Sequence, residues 1–237
     1  MQSWSIVVFC YNEVSTISMV IESIQIFFRK TNCIDNEIII VDDGSTDGSR
    51  EIILRESEKH DNIKTIFHPQ NLGIGAALRS GYFNATKENV TAVPADGQFD
   101  IDEMIPFIHV DEKTFISFYR KENLLYSMQR NILSYFNKKV NFFFLGISLK
   151  DVNWVKIYKR ESLLNLNLQM KSSLVESEIC SKLLLKKFLV IEAVSVYHQR
   201  KAGNSKGASA KIVWQALKET VKLIFVILFF RIRKFSV

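Results

Sequence analysis

Glu37-Ile38-Ile39-Ile40-Val41-Asp42-Asp43-Gly44-Ser45-Thr46-Asp47-Gly48-Ser49 joins a continuous apolar run to an acidic, glycine-containing turn. An unbroken β-branched run of this length reads as a parallel strand covered on both faces, and the turn then delivers carboxylates at its carboxyl end. Upstream, Ser5-Ile6-Val7-Val8-Phe9-Cys10 has the same character and is followed at once by Tyr11-Asn12-Glu13. Ser15 is placed to cap a helix running to about Lys30, with Ile17, Val20, Ile21 and Ile24 at helical spacing. A second helix is predicted from about Asp47 to His60, with Asp47 suited to an N-cap or to a nucleotide-facing turn. Strand, acidic loop, helix and strand again is the rhythm of an α/β doubly wound sheet, which binds ligands at the carboxyl ends of its strands.

The third strand is Val90-Thr91-Ala92-Val93, ending in Pro94-Ala95-Asp96-Gly97-Gln98-Phe99-Asp100. Pro94 has no amide hydrogen, so regular pairing is expected to stop there. Asp96 and Gln98 place a carboxylate and an amide oxygen two residues apart across a glycine, a pair able to face one Mg²⁺ or Mn²⁺ that takes its remaining ligands from water and phosphate. The same Asp-Gly pair is also a common turn former. Three strands ending in Tyr11 and Glu13, in Asp42 and Asp43, and in Asp96 and Gln98 predict loops that converge on one crevice. Gly73-Ile74-Gly75-Ala76-Ala77-Leu78 resembles the start of a dinucleotide fingerprint, but it lacks the third glycine in register and follows two strand-helix units. It reads better as a turn leading into a close-packed helix, Ala76 to Thr86.

The 237 residues are enough for one large domain, and no repeat or low-complexity tract divides them. Three widely spaced cysteines, Cys10, Cys33 and Cys180, argue for reduced thiols in a cytosolic setting rather than a disulfide or zinc framework. The first residues show no basic region followed by an apolar run, so nothing here predicts export. From Gln199 onward nine cations face only Glu219; that segment carries +8 of a net +6, leaving −2 for the first 198 residues. The basic character belongs to the tail, which excludes a general nucleic-acid surface and points to an anionic partner there.

In order and spacing, Ile-Val-Val-Phe-Cys-Tyr-Asn-Glu, Ile-Ile-Val-Asp-Asp-Gly-Ser-Thr-Asp-Gly, Asn-Leu-Gly-Ile-Gly-Ala-Ala-Leu-Arg-Ser-Gly and Ala-Asp-Gly-Gln resemble family 2 glycosyltransferases of the GT-A fold. Among these the likeness is greatest to the polyprenyl-phosphate sugar synthases, such as dolichyl-phosphate mannose synthase, and it runs from Ser5 to about Gly207. The resemblance implies that Tyr11, Glu13 and Asp43, with Asp42 beside them, hold the base and ribose of a UDP- or GDP-linked sugar. It implies that Asp96 is the second carboxylate of the family's Asp-x-Asp and Gln98 a further metal ligand. Pro94 stands where the first Asp is usual, and Phe9 where proline is usual. Arg120, at the end of a strand Phe115 to Arg120, falls where the family places an arginine near the diphosphate; Arg200 and Lys206 fall in its Arg-x-x-Gly-x-Ser-Lys loop, a candidate lid.

On the acceptor side the resemblance suggests Arg130 and Ser134, within a helix Ser127 to Phe144, and either Asp151 or Glu178, the latter ahead of a strand Leu189 to Val196. Residues 1–207 then form the transferase domain. Residues 208–237 form a basic and apolar helix, in which Leu223 to Phe230 is solidly apolar and closed by Arg231, Arg233 and Lys234. Lys218, Glu219 and Lys222 interrupt the roughly 20 apolar residues a spanning helix needs, so a peripheral anchor on a cytoplasmic membrane face is expected, with packing on the domain or on a second subunit as the alternative. The expected function is inverting transfer of a sugar to a polyprenyl phosphate, the alternatives being a soluble or surface glycan acceptor, or a non-catalytic nucleotide-sugar-binding subunit. An oligomer is compatible with all three.

Overall fold

The computed structural model describes residues 2–121, 138–196, 198 and 210–235. Its centre is a seven-stranded sheet in the order β3-β2-β1-β4-β6-β5-β7. The strands are β1 (Trp4–Cys10), β2 (Asn36–Asp42), β3 (Ile63–Phe67), β4 (Asn89–Pro94), β5 (Thr114–Arg120), β6 (Lys156–Lys159) and β7 (Leu189–Ser195). β1 pairs in parallel with both β2 and β4, and β2 with β3. β6 runs antiparallel between β4 and β5, and β7 returns parallel to β5. The helices are α1 (Ile17–Lys30), α2 (Ser49–Lys59), α3 (Ile74–Asn84), α4 (Arg160–Leu164), α5 (Leu174–Leu185) and α6 (Ala210–Phe235), with a 3-10 turn at Ile101–Phe107. This is the α/β, mostly parallel architecture expected.

Alternation along β1 and β2 divides two cores. Ile6, Val8, Ile38 and Ile40 pack under α1 and α2, whereas Val7, Ile39 and Val41 pack under α3 and α5, all of them fully buried. α1 seats Ile17, Val20, Ile21, Ile24, Phe27 and Phe28, with Trp4 edge-on to Phe27. Glu37 ties several elements together at the far end of the sheet: it accepts from Ser5 Oγ (2.6 Å), Thr86 N (2.6 Å) and Thr86 Oγ1 (2.9 Å), and Lys64 Nζ lies 2.6 Å away. Burial raises the cost of its charge, but Lys64, Ser5 and Thr86 outweigh that and hold its carboxyl below the usual range.

Four sequence expectations change. The N-cap of α1 is Thr16 and not Ser15, and the Thr16 hydroxyl donates to Ala95 O (2.7 Å), which pins the helix start to the turn after β4. β4 continues through Pro94, and the ladder extends to Ala95 N→Phe9 O (3.1 Å). The missing proline amide faces the side of β6, whose pairing with β4 ends at Thr91, so no ladder bond is lost. α3 begins at Ile74 and ends at Asn84, two residues earlier at each end than expected. A side chain on Gly75 would begin 2.0 Å from Ser172 O, which is why small residues open that helix. Strands β3 and β6 were not anticipated. The helix expected over Ser127 to Phe144 falls largely outside the described residues, of which 138–143 are helical.

Candidate active site

The loops after β1 and β2 are stitched together by short polar side chains. Asn12 N donates to Ser45 Oγ (2.9 Å), Thr46 N to Asn12 Oδ1 (2.8 Å), Glu13 N to Ser49 Oγ (2.9 Å) and Val14 N to Asp47 Oδ2 (3.0 Å). Asp47 also takes the Ser49 amide (3.0 Å) at the start of α2. Tyr11 and Glu13 are half-buried at the mouth of this loop pair. Asp42 and Asp43 are drawn inward. Asp42 accepts from Ser45 N (3.1 Å) and Arg50 Nε (3.1 Å), with its side chain fully buried. Asp43 accepts from Leu72 N (2.9 Å) and Gly73 N (2.8 Å), while His68 Nδ1 lies 2.7 Å from its Oδ1 and His68 Nε2 2.9 Å from Ser80 Oγ. Both carboxylates therefore shape the crevice through the backbone they hold. Gly44 completes the turn with φ 73°, where a side chain would meet the backbone of Gln70 at 2.5 Å.

At the carboxyl ends of β1 and β4 lies a cavity of about 220 Å³ whose lining includes Phe9, Pro94, Asp96, Arg120, Trp154 and Glu176. Asp96 is 6% exposed, and its Oδ1 accepts the Gln98 amide (3.1 Å), so the turn orients the carboxylate. Gly97 sits between them at φ 70°. Gln98 Nε2 donates to His198 O (3.2 Å) and His198 N to Gln98 O (3.3 Å), a double tie between this loop and the segment after β7. Arg120 is held at the end of β5 by Asp151 (Nε to Oδ2 2.7 Å, Nη2 to Oδ1 3.2 Å) and lies 4.7 Å over the Trp154 ring. Trp154 is fixed in turn by Nε1 donating to Ser195 Oγ (3.0 Å).

The acid on the opposite wall is Glu176, in the first turn of α5, which sequence reasoning passed over. Tyr82 and Tyr158 donate to its two oxygens (2.8 and 2.7 Å), and Lys156 Nζ lies 3.4 Å from Oε2. Burial first, and the negative charge of Glu176 with it, pushes both phenols well above their ordinary range, so they remain donors. Glu178 is corrected: two residues along α5 it points to the other side, fully buried, where it accepts from Gln169 N (2.9 Å), Met170 N (2.8 Å) and Lys182 Nζ (2.6 Å). That carboxylate is consumed in holding the 169–170 turn. Helical geometry turns residues two apart by about 200°, so only one of the pair can face the cavity, and the first-turn position was the available signal.

Arg130, Ser134, Arg200 and Lys206 lie outside the described residues. Among the described residues no three His, Cys, Asp or Glu side chains gather around a common point. Asp96 and Gln98 alone offer one carboxylate and one amide oxygen, a hard donor set that fits a divalent cation completing its shell with water and phosphate. Burial pushes the Cys10 thiol up to about 12 and the Cys180 thiol to about 11, so both disfavour the thiolate.

Comparison with known proteins bears on the family and the fold. The profile of Glycosyl transferase family 2 matches residues 5–165. A dolichyl-phosphate beta-glucosyltransferase of Trichomonas vaginalis is 32% identical over 103 residues, covering 42% of this chain and 32% of the relative. A poly-beta-1,6-N-acetyl-D-glucosamine synthase of Staphylococcus epidermidis is 33% identical over 103 residues, covering 44% and 23%. The matches span no more than about a third of the first curated relatives' own length. In fold, the chain is similar to a mannosyltransferase of Pyrobaculum calidifontis solved with GDP-Man and Mn²⁺ (TM-score 0.61, 20% identity, 84% of this chain and 58% of that one). It is also similar to glucosyl-3-phosphoglycerate synthase of Mycobacterium tuberculosis solved with UDP (TM-score 0.64, 18% identity, 94% and 80%). These are GT-A glycosyltransferases. With the family profile matched from within β1 through β6, over more than half of its length, this chain belongs to glycosyl transferase family 2.

Proposed function

We propose that this protein transfers one sugar from a nucleotide diphosphate sugar to a polyprenyl phosphate at a membrane surface, by direct displacement with inversion. The observation that carries the reading is the convergence of Asp96, Arg120 and Glu176 on one cavity at the carboxyl ends of β1 and β4. The loops after β1 and β2 hold the nucleoside, with Tyr11 and Glu13 at their mouth and Asp42 and Asp43 setting their shape. Arg120, fixed by Asp151 and Trp154, presents a planar cation toward the departing diphosphate. Asp96 and Gln98 would hold Mg²⁺ or Mn²⁺, which when bound supplies charge neutralisation on that diphosphate. The family resemblance assigns Arg200 and Lys206 to the same task. A phosphate monoester acceptor is already anionic and nucleophilic at neutral pH, so no carboxylate is needed to deprotonate it, and Glu176 shapes the acceptor wall through the Tyr82, Tyr158 and Lys156 side chains it holds. Relatives named for dolichyl phosphate support the acceptor class, and neighbours solved with GDP-Man or UDP support the donor class.

A surface-glycan acceptor is the second reading, favoured by the similarity to the poly-beta-1,6-N-acetyl-D-glucosamine synthase. One experiment separates them: radiolabelled UDP- and GDP-sugars are incubated with Mn²⁺ and either short-chain polyprenyl phosphate or free oligosaccharide. Label should enter the organic phase with the wild type and not with Asp96→Ala of unchanged circular dichroism. Label in the oligosaccharide alone moves the protein to the second reading, and full activity of Asp96→Ala rejects the assigned site.

A further inference from the structure

Helix α6 is apolar on two opposite sides. Leu223 and Ile227 are 1% and 0% exposed and belong to the same core cluster as Val7 and Ile39 of the sheet. Phe225, Phe229 and Ile232 are 58%, 65% and 62% exposed, at a spacing of four and then three residues that places them on one outward stripe. The helix is thus seated firmly by one face while presenting large apolar side chains with the other; a helix apolar all round needs cover on both sides. A second exposed apolar group lies beside it: Phe142, Phe143 and Phe144, each more than half exposed. Two contacts fix the neighbourhood. Leu145 is buried in the cluster that holds Leu223 and Ile227, with its carbonyl taken by Ser181 Oγ (2.6 Å), and Arg231 Nη2 lies 4.0 Å from where a Gly146 side chain would begin.

Among the described residues, the charges around these two patches are mostly positive. Lys139 (5.8 Å from the Phe143 ring centre), Lys218, Lys222 and Arg231 flank them, while Glu219, the acid on this part of α6, accepts the Ser172 amide (3.1 Å). A two-fold pairing of this face with a second copy would set the cations of one chain against those of the other. A bilayer of anionic phospholipid satisfies both features at once, aromatic rings at the acyl boundary and ammonium and guanidinium groups at the phosphates. Among the described residues no helix is long and apolar enough to cross a membrane, so the contact is made in the plane of the surface.

We infer that the outward stripe of α6 and the Phe142–Phe144 turn form one rigid surface that docks on anionic phospholipid, so that the membrane is met by the transferase domain itself and not by a detachable tail. This rests on the lipid-acceptor reading above. The test is sedimentation of full-length protein with vesicles of phosphatidylcholine and phosphatidylglycerol, comparing Phe142→Ser/Phe143→Ser/Phe144→Ser with Phe225→Ser/Phe229→Ser. Both variants change exposed side chains and should keep the wild-type melting temperature. Each should bind at least fivefold more weakly, and binding should also fall when phosphatidylglycerol is left out. Vesicle binding unchanged by the 142–144 variant overturns the inference, as does a wild-type dimer in analytical ultracentrifugation that both variants dissolve. Transfer to short-chain polyprenyl phosphate in detergent keeps the two proposals apart: its loss in the wild type rejects the acceptor, whereas its retention in variants that no longer bind vesicles supports the docking surface.

Discussion

Phe9 and Pro94 stand opposite each other in the register of β1 and β4, and both line the cavity that holds Asp96. The two departures from the family's usual residues are therefore one local change: an apolar pair where a carboxylate is usual. A single Asp at position 94 should add oxygen ligands without disturbing the sheet, because the proline nitrogen faces the β6 side, where pairing has already ended at Thr91. Pro94→Asp is expected to lower the Mn²⁺ concentration for half-maximal transfer about tenfold, as one added anionic ligand would. Initial rates measured against Mn²⁺ check this; an unchanged curve would place the metal away from β4.

The bidentate Arg120 to Asp151 pair predicts an asymmetric mutational result. Asp151→Asn keeps the shape but weakens the charge-assisted hold, so transfer should fall about tenfold while the melting temperature moves little. Arg120→Lys should cost more, on the order of a hundredfold, since an ammonium cannot bond both Asp151 oxygens and stack on Trp154 together. Equal small losses in both would return Arg120 to the role of a surface cation.

Glu176 and Glu178 should separate function from stability. Glu178→Ala leaves Lys182 buried without its carboxylate and is expected to destabilise by about 3–5 kcal/mol in urea unfolding. Glu176→Gln keeps one acceptor for the two tyrosines and should instead raise KM for the acceptor with a smaller loss of stability. A reversal of these outcomes would exchange their assignments.

Glu37 gives a pH signature. Its carboxyl is held below its ordinary value of 4.5, so its stabilisation is present above that value and is lost as pH falls through the lowered one. The melting-temperature gap between wild type and Glu37→Gln should be constant from pH 7 to about 5.5 and should narrow as pH falls below 4.5. A gap that persists at the acid end would show that Glu37 acts through shape alone.

The parallel half of the fold was legible because its strands are continuous apolar runs ending in carboxylates, a pattern fixed by burial on both faces. β3 and β6 were not, since Ile-Lys-Thr-Ile-Phe is half-exposed beside β2 and Lys-Ile-Tyr-Lys carries lysines that find cover only in the folded sheet. Asp96 and Arg120 were visible as chemistry at strand ends and do meet in one cavity. Glu176 was hidden because its role depends on Tyr82, Tyr158 and Lys156, which come from α3 and β6. Spacing along one helix could not choose between it and Glu178.

The strand order also fixes a sequence of events in time. β1 meets β2 across about 32 residues, whereas β1 meets β4 across about 85 and β5 meets β7 across about 75, so loop-closure entropy favours early formation of the β1–β2 pair and later closure of β4 and of β7. α6 follows both in the chain and seats Leu223 and Ile227 on a cluster built partly from β1 and β2. During synthesis its exposed phenylalanines would emerge only after most of the sheet has left the ribosome, which shortens the period in which that stripe could aggregate before reaching lipid.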